Sequence, residues 1–564
     1  MKLSGAEIII RYLEYQGITI VSGIPGGANL PLYDALHKSS IRHILVRHEQ
    51  AAGFIAQGMA RSTGKPAVCF ATSGPGATNL VTAIADAKLD SVPIVAITGQ
   101  VPTSMIGTDA FQEIDTYGMT LPISKHNFLV RRASELLSIL PEAFAIATSG
   151  RPGPVVVDVP KDVQLEEIEL DCLPAEDLPD VPEPLDARLV RQAAEMVHNA
   201  QRPVFYVGGG VIAASAHRQL HELAEKNGIP VALTLNGLGA FSPSHPLYLG
   251  MLGMHAAPFT NMVLDEADLI LAFGVRFDDR AVGKAAEFCP RASIIHVDID
   301  QAEINKVKRA HLSIGGDVKA VLEAISGLIA EDARPTWLAR VAELKRQFPL
   351  VLPDADDRFH PVNVIRAITT AAPHDAIITT DVGQHQMWVA QTYPVRAPRT
   401  LLTSAGLGTM GFGLPAAIGA ALAHPGRRVI CVSGDGSIQM NIQELATLAE
   451  LHLPITIVIM NNGHLGLVRQ QQELFYDGNY IASKFARKLD FAAIAREFGV
   501  RAEKLAEDDS FVDAFAEALT HDGPCVIDVP IHDAENVLPM VPPGAATRDM
   551  IGIEWGSKSA LATR

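Results

Sequence analysis

At 564 residues the chain is long enough for roughly three or four domains, so a single small binding module is excluded. Apolar residues make up 48% and charged residues 19%, a balance that buries large cores and excludes a disordered chain. Against 63 Asp and Glu stand 46 Lys and Arg, and the formal charge of −17 argues against a broad footprint on the phosphate backbone of nucleic acid.

The N-terminus, Met1 to Glu7, enters an amphipathic helical pattern at once, without the basic and apolar regions of a signal peptide. No apolar run reaches the roughly 18 residues of a membrane span, so no membrane is expected as a partner. Strands are expected at 67–71, 94–97, 204–207, 269–273, 429–432 and 455–460, each a continuous apolar run separated from the next by helix-period segments. Such runs mean parallel sheets covered on both faces: an α/β chain of doubly wound sheets. Two acidic, Pro-rich stretches read as linkers. The expected organisation is an N-terminal domain 1–165, a linker 166–188, a middle domain 189–345, a linker 346–361, a C-terminal domain 362–540 and a tail 541–564. Residues 67–97 can be laid on 429–459, each reading strand, Ser-Gly-x-Gly, helix, Pro, strand, which favours related first and last domains. The five cysteines, Cys69, Cys172, Cys289, Cys431 and Cys525, are scattered and lack CxxC spacing. They indicate neither a disulfide framework nor a zinc site, and the cytoplasm is the expected setting.

In the middle domain, Gly208-Gly209-Gly210 follows a strand, Thr234-Leu235 follows another, and Asp298 ends a third. A Gly-rich turn with a later acid suits a nucleotide's phosphates and ribose, although three glycines alone are weak evidence. The sharpest signal comes later. Gly434-Asp435-Gly436-Ser437 lies between a strand and a helix, and Asn462 lies 27 residues beyond Asp435 at the end of the next strand. Both positions fall on the carboxyl side of a parallel sheet, where ligands bind. Glycines let backbone approach a diphosphate, and a carboxylate with an amide oxygen offers the hard ligands that Mg²⁺ takes.

This pairing resembles the thiamine diphosphate signature. Arg47-His48-Glu49-Gln50, Ala71 to Leu80 and Thr98-Gly99-Gln100 look like the pyrimidine-binding domain of that enzyme class. Gly23 to Gly27, Asp109 to Glu113, Arg151 to Pro154, Pro160-Lys161-Asp162, Met251 to His255, Arg276 to Arg280 and Asp381 to Trp388 narrow the match. Over essentially the whole chain they resemble the large catalytic subunit of acetolactate synthase, and within that family its isozyme I type.

The resemblance implies three thiamine-enzyme domains (pyrimidine, middle and diphosphate) with thiamine diphosphate, Mg²⁺ and FAD as cofactors. It implies decarboxylation of pyruvate and transfer of the remaining two-carbon fragment to a second 2-oxoacid, pyruvate or 2-oxobutyrate, in branched-chain amino-acid biosynthesis. By resemblance Glu49 stands beside the pyrimidine N1′ and drives removal of the thiazolium C2 proton; alone it would read as a surface helix carboxylate. Gly408 and Met410 would hold the two cofactor rings, although Met410 alone would read as a core gap filler. Gly383, Gln384, His385, Gly434, Asp435, Gly436, Ser437, Asn462 and His464 would bind the cofactor, with Asp435, Asn462 and His464 on the metal. Gln112 and Lys161 would lie near the reacting carbon, and Arg280 would pair with the acceptor carboxylate. Arg276 and Arg280 could equally pair with Asp278 and Asp279 as a structural group. For FAD the resemblance implies Arg151, Gly208, Gly209, Thr234, Leu235, Met254, His255, Gly274, Arg276, Asp298, Glu303 and Asp317. The implied assembly is a homodimer or homotetramer with cofactor sites shared between subunits, joined by a small regulatory subunit.

One position departs from the pattern: Gln471 stands where most family members carry a tryptophan that favours 2-oxobutyrate. Weaker discrimination between acceptors is therefore expected. Two rival readings are a pyruvate oxidase, whose flavin accepts electrons, and a non-catalytic nucleotide-binding protein. The Arg276 to Arg280 and Gln384 to Trp388 motifs argue against the first, and joint retention of Glu49, Asp435 and Asn462 against the second.

Overall fold

The computed structural model describes residues 1–170 and 184–553. Three six-stranded parallel sheets dominate it. Their strands are the apolar runs without alternation, because a strand covered on both faces has no polar side. From edge to edge the first sheet runs Arg42–Leu45, Ile20–Gly23, Ala67–Ala71, Ile94–Gln100, Val155–Pro160, His126–Leu129. The third runs Leu401–Leu402, Ile377–Thr380, Val429–Gly434, Ile455–Met460, Cys525–Val529, Arg501–Lys504. Numbered within themselves, both read 2-1-3-4-6-5, so the internal echo extends to a shared topology. The middle sheet runs Tyr248–Met251, Val231–Leu233, Pro203–Val207, Leu269–Phe273, Ser293–Asp298, Leu312–Gly315. Its order, 3-2-1-4-5-6, is that of dinucleotide-binding sheets.

The N-terminal helix Gly5–Tyr15 starts where a capping box fixes it: Ser4 Oγ accepts from Glu7 N at 3.3 Å and Glu7 Oε2 from Ser4 N at 2.8 Å. The stretch expected to be a linker from 166 opens instead as a strand, Glu167–Glu169, antiparallel to Lys2–Ser4. That pairing satisfies backbone groups that a free linker would leave to water. Residues 171–183 of that stretch, with Cys172, and 554–564 of the expected tail lie outside the described residues. Between the helices Pro335–Gln347 and Pro361–Ala371 the chain has neither helix nor strand.

First and third domains meet along two helices, Glu49–Thr63 and Gly413–Ala423, which are almost wholly buried and rich in Ala and Gly. A Cβ on Gly58 would fall on the Ala416 carbonyl oxygen, and one on Gly419 on the Ile55 carbonyl oxygen. Glycine is what allows these backbones to approach so closely. Beside the crossing, the rings of Phe54 and Phe412 meet edge-on at 5.3 Å.

Cys69, Cys289, Cys431 and Cys525 are buried free thiols. No helix among the described residues is long and apolar enough to cross a membrane. His221, Glu225 and His245 group their ligand atoms within 4.8 Å of one another. His245 Nδ1 accepts from Leu247 N at 3.1 Å, so the proton sits on Nε2 and points to Glu225 Oε1 at 3.1 Å. The group is a carboxylate held between two imidazoles.

Candidate functional site

Parallel sheets leave a crevice where neighbouring strands send their connections in opposite directions. In the third sheet that point lies between Ile377–Thr380 and Val429–Gly434, and a cavity of about 220 Å³ opens there. Gly383, Gln384, His385, Gly408, Met410, Gly434, Asp435, Gly436, Ser437, Asn462 and His464 all line it, so every thiamine-site residue expected from this domain converges.

The geometry fits a diphosphate and a divalent cation. His385 is buried with Nε2 lacking a partner, and burial pulls its pKa down to about 3. A Cβ on Gly434 would stand 2.9 Å from His385 Nδ1, so glycine keeps this wall open. The short helix Asp435–Ile438 begins at the strand end, and Ser437 Oγ donates to Val382 O at 2.6 Å. Asp435 is 3% exposed, and burial pushes its pKa up to about 7 against the donation from Gly463 N at 2.8 Å. A carboxylate buried at that cost is one that a cation would return to its charged form. Asn462 Oδ1 accepts from His464 N at 3.0 Å, and His464 Nδ1 lies 2.8 Å from Asn462 O, so the two residues form one turn facing Asp435.

The first-domain candidates gather at the carboxyl end of their own sheet. Glu49 opens the helix Glu49–Thr63, is 8% exposed, and accepts from Asn79 Nδ2 at 2.9 Å. A Cβ on Gly76 would come within 3.4 Å of Glu49 Oε1. Gln112 packs on the other side of that turn and holds a φ of +58°, a left-handed conformation costly for a residue other than glycine. Glu113 fixes its loop by accepting from Thr108 N at 3.1 Å and Ala110 N at 3.0 Å. Lys161 begins a helix directly after the strand Val155–Pro160. Under these positions Asp158 joins two strands, accepting from Thr98 Oγ1 at 2.6 Å and Gln100 Nε2 at 3.0 Å, and burial pushes its pKa up to about 7. The 382–531 cavity lining includes neither Glu49, Gln112 nor Lys161.

The middle sheet reverses direction between Pro203–Val207 and Leu269–Phe273. Gly208 and Gly274 follow these two strands, and a Cβ on Gly210 would stand 2.6 Å from Gly274 Cα. Thr234, Leu235, Asp298 and Asp317 lie at or just past strand ends of the same edge, with Met254 and His255 three or four residues beyond the strand Tyr248–Met251. His255 is buried with Nδ1 lacking a partner, and burial pulls its pKa down to about 4. Burial likewise pushes Asp298 up to about 6. Arg151 crosses from the first domain to Glu303 at 2.7 Å and Asp300 at 3.1 Å. Asp317 caps the helix Val318–Ser326 by accepting from Ala320 N at 2.9 Å.

Three family models describe this chain in sequence: the thiamine pyrophosphate enzyme N-terminal TPP binding domain over residues 3–119, the central domain over 190–325, and the C-terminal TPP binding domain over 381–529. The acetolactate synthase isozyme 1 large subunit of Escherichia coli (strain K12) is 55% identical over 98% of this chain and 98% of its own length. The chain belongs to the acetolactate synthase large-subunit family. Isozyme 2 of the same organism is 46% identical over 97% of this chain and 99% of its own length. The large subunit of Parasynechococcus marenigrum (strain WH8102) is 48% identical over 100% of this chain and 93% of its own.

Arg280 is the residue expected from the sequence to pair with an acceptor carboxylate. Its Nε lies 3.8 Å from Asp279 Oδ2 with both side chains mostly exposed, a weak contact in water. Asp278 instead caps the short helix Asp279–Val282, accepting from Ala281 N at 3.2 Å, and Arg276 donates to Leu89 O at 2.6 Å. The two arginines therefore do not form a closed ion-pair group with both aspartates.

Sequence reasoning gave no role to Asp381, although its motif was noted, or to Gln470. Asp381 Oδ1 accepts from Gly411 N at 2.7 Å and Val382 N at 3.0 Å, while Ser433 Oγ donates to Oδ2 at 3.2 Å, so one buried carboxylate ties three wall segments. Asp381 follows directly on the strand Ile377–Thr380, as Asp435 follows Val429–Gly434, but two threonines in that strand keep it from standing out as an apolar run. Gln470 Oε1 accepts from Gln384 Nε2 at 3.0 Å, and Gln384 Oε1 from Asn462 Nδ2 at 3.3 Å, a buried amide relay with no local sequence mark.

Proposed function

We propose that this chain is a thiamine diphosphate-dependent acetolactate synthase catalytic subunit that removes CO₂ from pyruvate and joins the remaining two carbons to a second pyruvate or to 2-oxobutyrate. The observation that carries the reading is the cavity at the switch point of the third sheet. There, buried Asp435 and the unpartnered His385 Nε2 stand in a wall of glycines. Thiamine diphosphate supplies, when bound, the carbon acid that adds to the 2-oxo carbon and accepts the electron pair left by CO₂.

The chain's own residues do the rest. Asp435, Asn462 and the His464 turn would hold Mg²⁺, Gln384, His385 and Ser437 would grip the diphosphate, and Gly408 and Met410 would support the rings. Glu49 holds the proton at the pyrimidine N1′. The cavity lining spans 382 to 531 without Glu49, Gln112 or Lys161, and in the family reading these three residues serve the cavity of a second copy. Phe111, 88% exposed beside Gln112, is the side chain such a copy would cover and shield from water. Arg280 binds the acceptor carboxylate in a fork suited to it. FAD would be held along the middle sheet, where the strand order, the Gly210 and Gly274 approach and the unpartnered His255 Nδ1 fit a dinucleotide. Carboligation has no net redox, so the flavin carries no electron in the overall reaction. The relatives' name, large subunit, implies a small regulatory partner, and the buried free thiols suit a reducing cytoplasm.

Purified protein with pyruvate, Mg²⁺, thiamine diphosphate and FAD is expected to form acetolactate, detected after conversion to acetoin. Pyruvate consumed with electrons passed to oxygen or quinone, and without acetolactate, would make it an oxidase instead.

Acceptor choice falls to the helix Gly466–Phe475. Leu467 and Val468 line the cavity, and Gln471 lies one turn further on the same face. An amide there offers less apolar surface to an ethyl group than an indole. Equimolar pyruvate and 2-oxobutyrate are expected to give comparable yields of the two products, and Gln471→Trp to shift the ratio toward the 2-oxobutyrate product by roughly tenfold. A strong 2-oxobutyrate preference in the unmodified enzyme would refute this assignment.

A further inference from the structure

We propose that Asp86 and Asp90, at the end of the helix Pro75–Leu89, are positioning residues that set the loop 404–410 and, through it, the cofactor rings. The proposal rests on the reading that Gly408 and Met410 touch those rings.

The loop has little of its own to fix it. It contains Gly406 and Gly408, the second at φ +70°, it has no helix or strand, and Leu407 is 41% exposed. Two carboxylates from the first domain grasp it at both ends. Asp90 accepts from Ala405 N and Gly406 N, each at 2.9 Å. Asp86 Oδ2 accepts from Thr409 Oγ1 at 2.8 Å and from Ser404 Oγ, whose oxygen accepts in turn from Thr409 N at 2.8 Å. Met410 is the next residue. Arg61 holds the pair from behind, at 3.2 Å from Asp86 and 3.0 Å from Asp90, and Asn236 Nδ2 of the middle domain reaches Asp90 at 3.0 Å.

Both carboxylate side chains are fully buried and Arg61 is 10% exposed. Burial pushes the Asp86 carboxyl up, with Arg61 opposing. For Asp90 burial is again the largest influence, but Arg61, the Ala405 amide and Arg276 outweigh it and hold the group low. A buried ionic group is a poor source of stability compared with apolar packing of the same volume, whereas it fixes geometry closely when every donor is satisfied. Here Ser404 Oγ, Ala405 N, Gly406 N and Thr409 Oγ1 of the loop are satisfied alongside Arg61 and Asn236. The same helix carries Asn79 on Glu49 near its other end, so it is anchored at both sets of reacting groups.

The test uses holoenzyme saturated with thiamine diphosphate and Mg²⁺, carrying Asp86→Asn or Thr409→Val. The second variant removes only the loop hydroxyl and keeps the test open if the first does not fold. Two quantities are read: the exchange of the bound thiazolium C2 proton with D₂O, by quenched-flow NMR, and kcat against KM for pyruvate. Exchange and kcat are expected to fall together by roughly tenfold or more in Asp86→Asn and by less in Thr409→Val, with KM nearly unchanged. Unchanged exchange in both variants, with only a lower unfolding temperature, would overturn the proposal and leave the pair a structural clasp. Met410→Ala separates the two levels. If it slows exchange while both other variants do not, only the role of Asp86 and Asp90 fails. If it leaves exchange unchanged, the loop reading itself fails and this proposal with it.

Discussion

Glu49→Gln is expected to leave the protein folded and able to bind thiamine diphosphate and Mg²⁺, yet to form acetolactate roughly 10²- to 10⁴-fold more slowly. The residues proposed to hold the diphosphate and metal lie in the cavity lining, which does not include Glu49, so losing a charge at 49 takes nothing from them. The amide is nearly isosteric, and its oxygen can still accept from Asn79 Nδ2, so the local hydrogen bond survives. What it cannot do is take up and return a proton. A fall in cofactor affinity equal to the fall in rate would instead make Glu49 a binding group.

The same variant tests where the carboxylate acts. If Glu49 serves the cavity of a second copy, co-expressed Glu49→Gln and Asp435→Ala chains, each inactive alone, assemble hybrids in which one of two sites has both residues intact. Random pairing then returns about a quarter of the normal activity, since half the dimers are hybrids with one working site. No recovery would place Glu49 and Asp435 of one chain in the same site.

Much of this was legible in the sequence, and the rest was hidden for physical reasons. Apolar runs without alternation told of parallel sheets, because burial on both faces leaves that mark on each strand separately. Asp435 and Asn462 were legible because strand ends place them and short spacing joins them. Glu49 was legible only through its neighbours, since a Glu at a helix start is ordinary. Asp86 and Asp90 carry no mark: the residues they hold lie more than 300 positions away, and their helix reads as any amphipathic helix. The strand Glu167–Glu169 was hidden in an acidic stretch whose composition reads as linker, its partner being the first residues of the chain. Gly58 and Gly419 read as mild helix weaknesses, and only the crossing shows what they admit.

That crossing gives the largest expected effect on stability. On Gly58 a methyl group would meet the Ala416 carbonyl oxygen, with the carbonyl carbon and Cα both at 2.9 Å; on Gly419 it would meet the Ile55 oxygen, with Ile55 C at 2.9 Å and Met59 N at 3.0 Å. All of these are backbone atoms, so no rotamer change relieves the contact. The helices must part, opening the Phe54 and Phe412 contact and the small buried cluster they form with Ala83 and Ala416. Overpacking of this kind costs about 1–3 kcal/mol and occasionally more, while alanine's better helix propensity returns at most about 1 kcal/mol. Gly58→Ala and Gly419→Ala are therefore each expected to lower the unfolding temperature measurably, and Gly419→Val to lower it further. Gly327 is the control, because its φ is −71° and nothing approaches its Cβ position closer than 3.7 Å. Gly327→Ala should leave the unfolding temperature unchanged or raise it. The helix that Gly58 seats also begins at Glu49, so separation of the helices moves the carboxylate, and Gly58→Ala should lose activity at temperatures where it is still folded. Equal unfolding temperatures for Gly58→Ala and Gly327→Ala would mean that the crossing has slack, and that the two domains are held by other contacts.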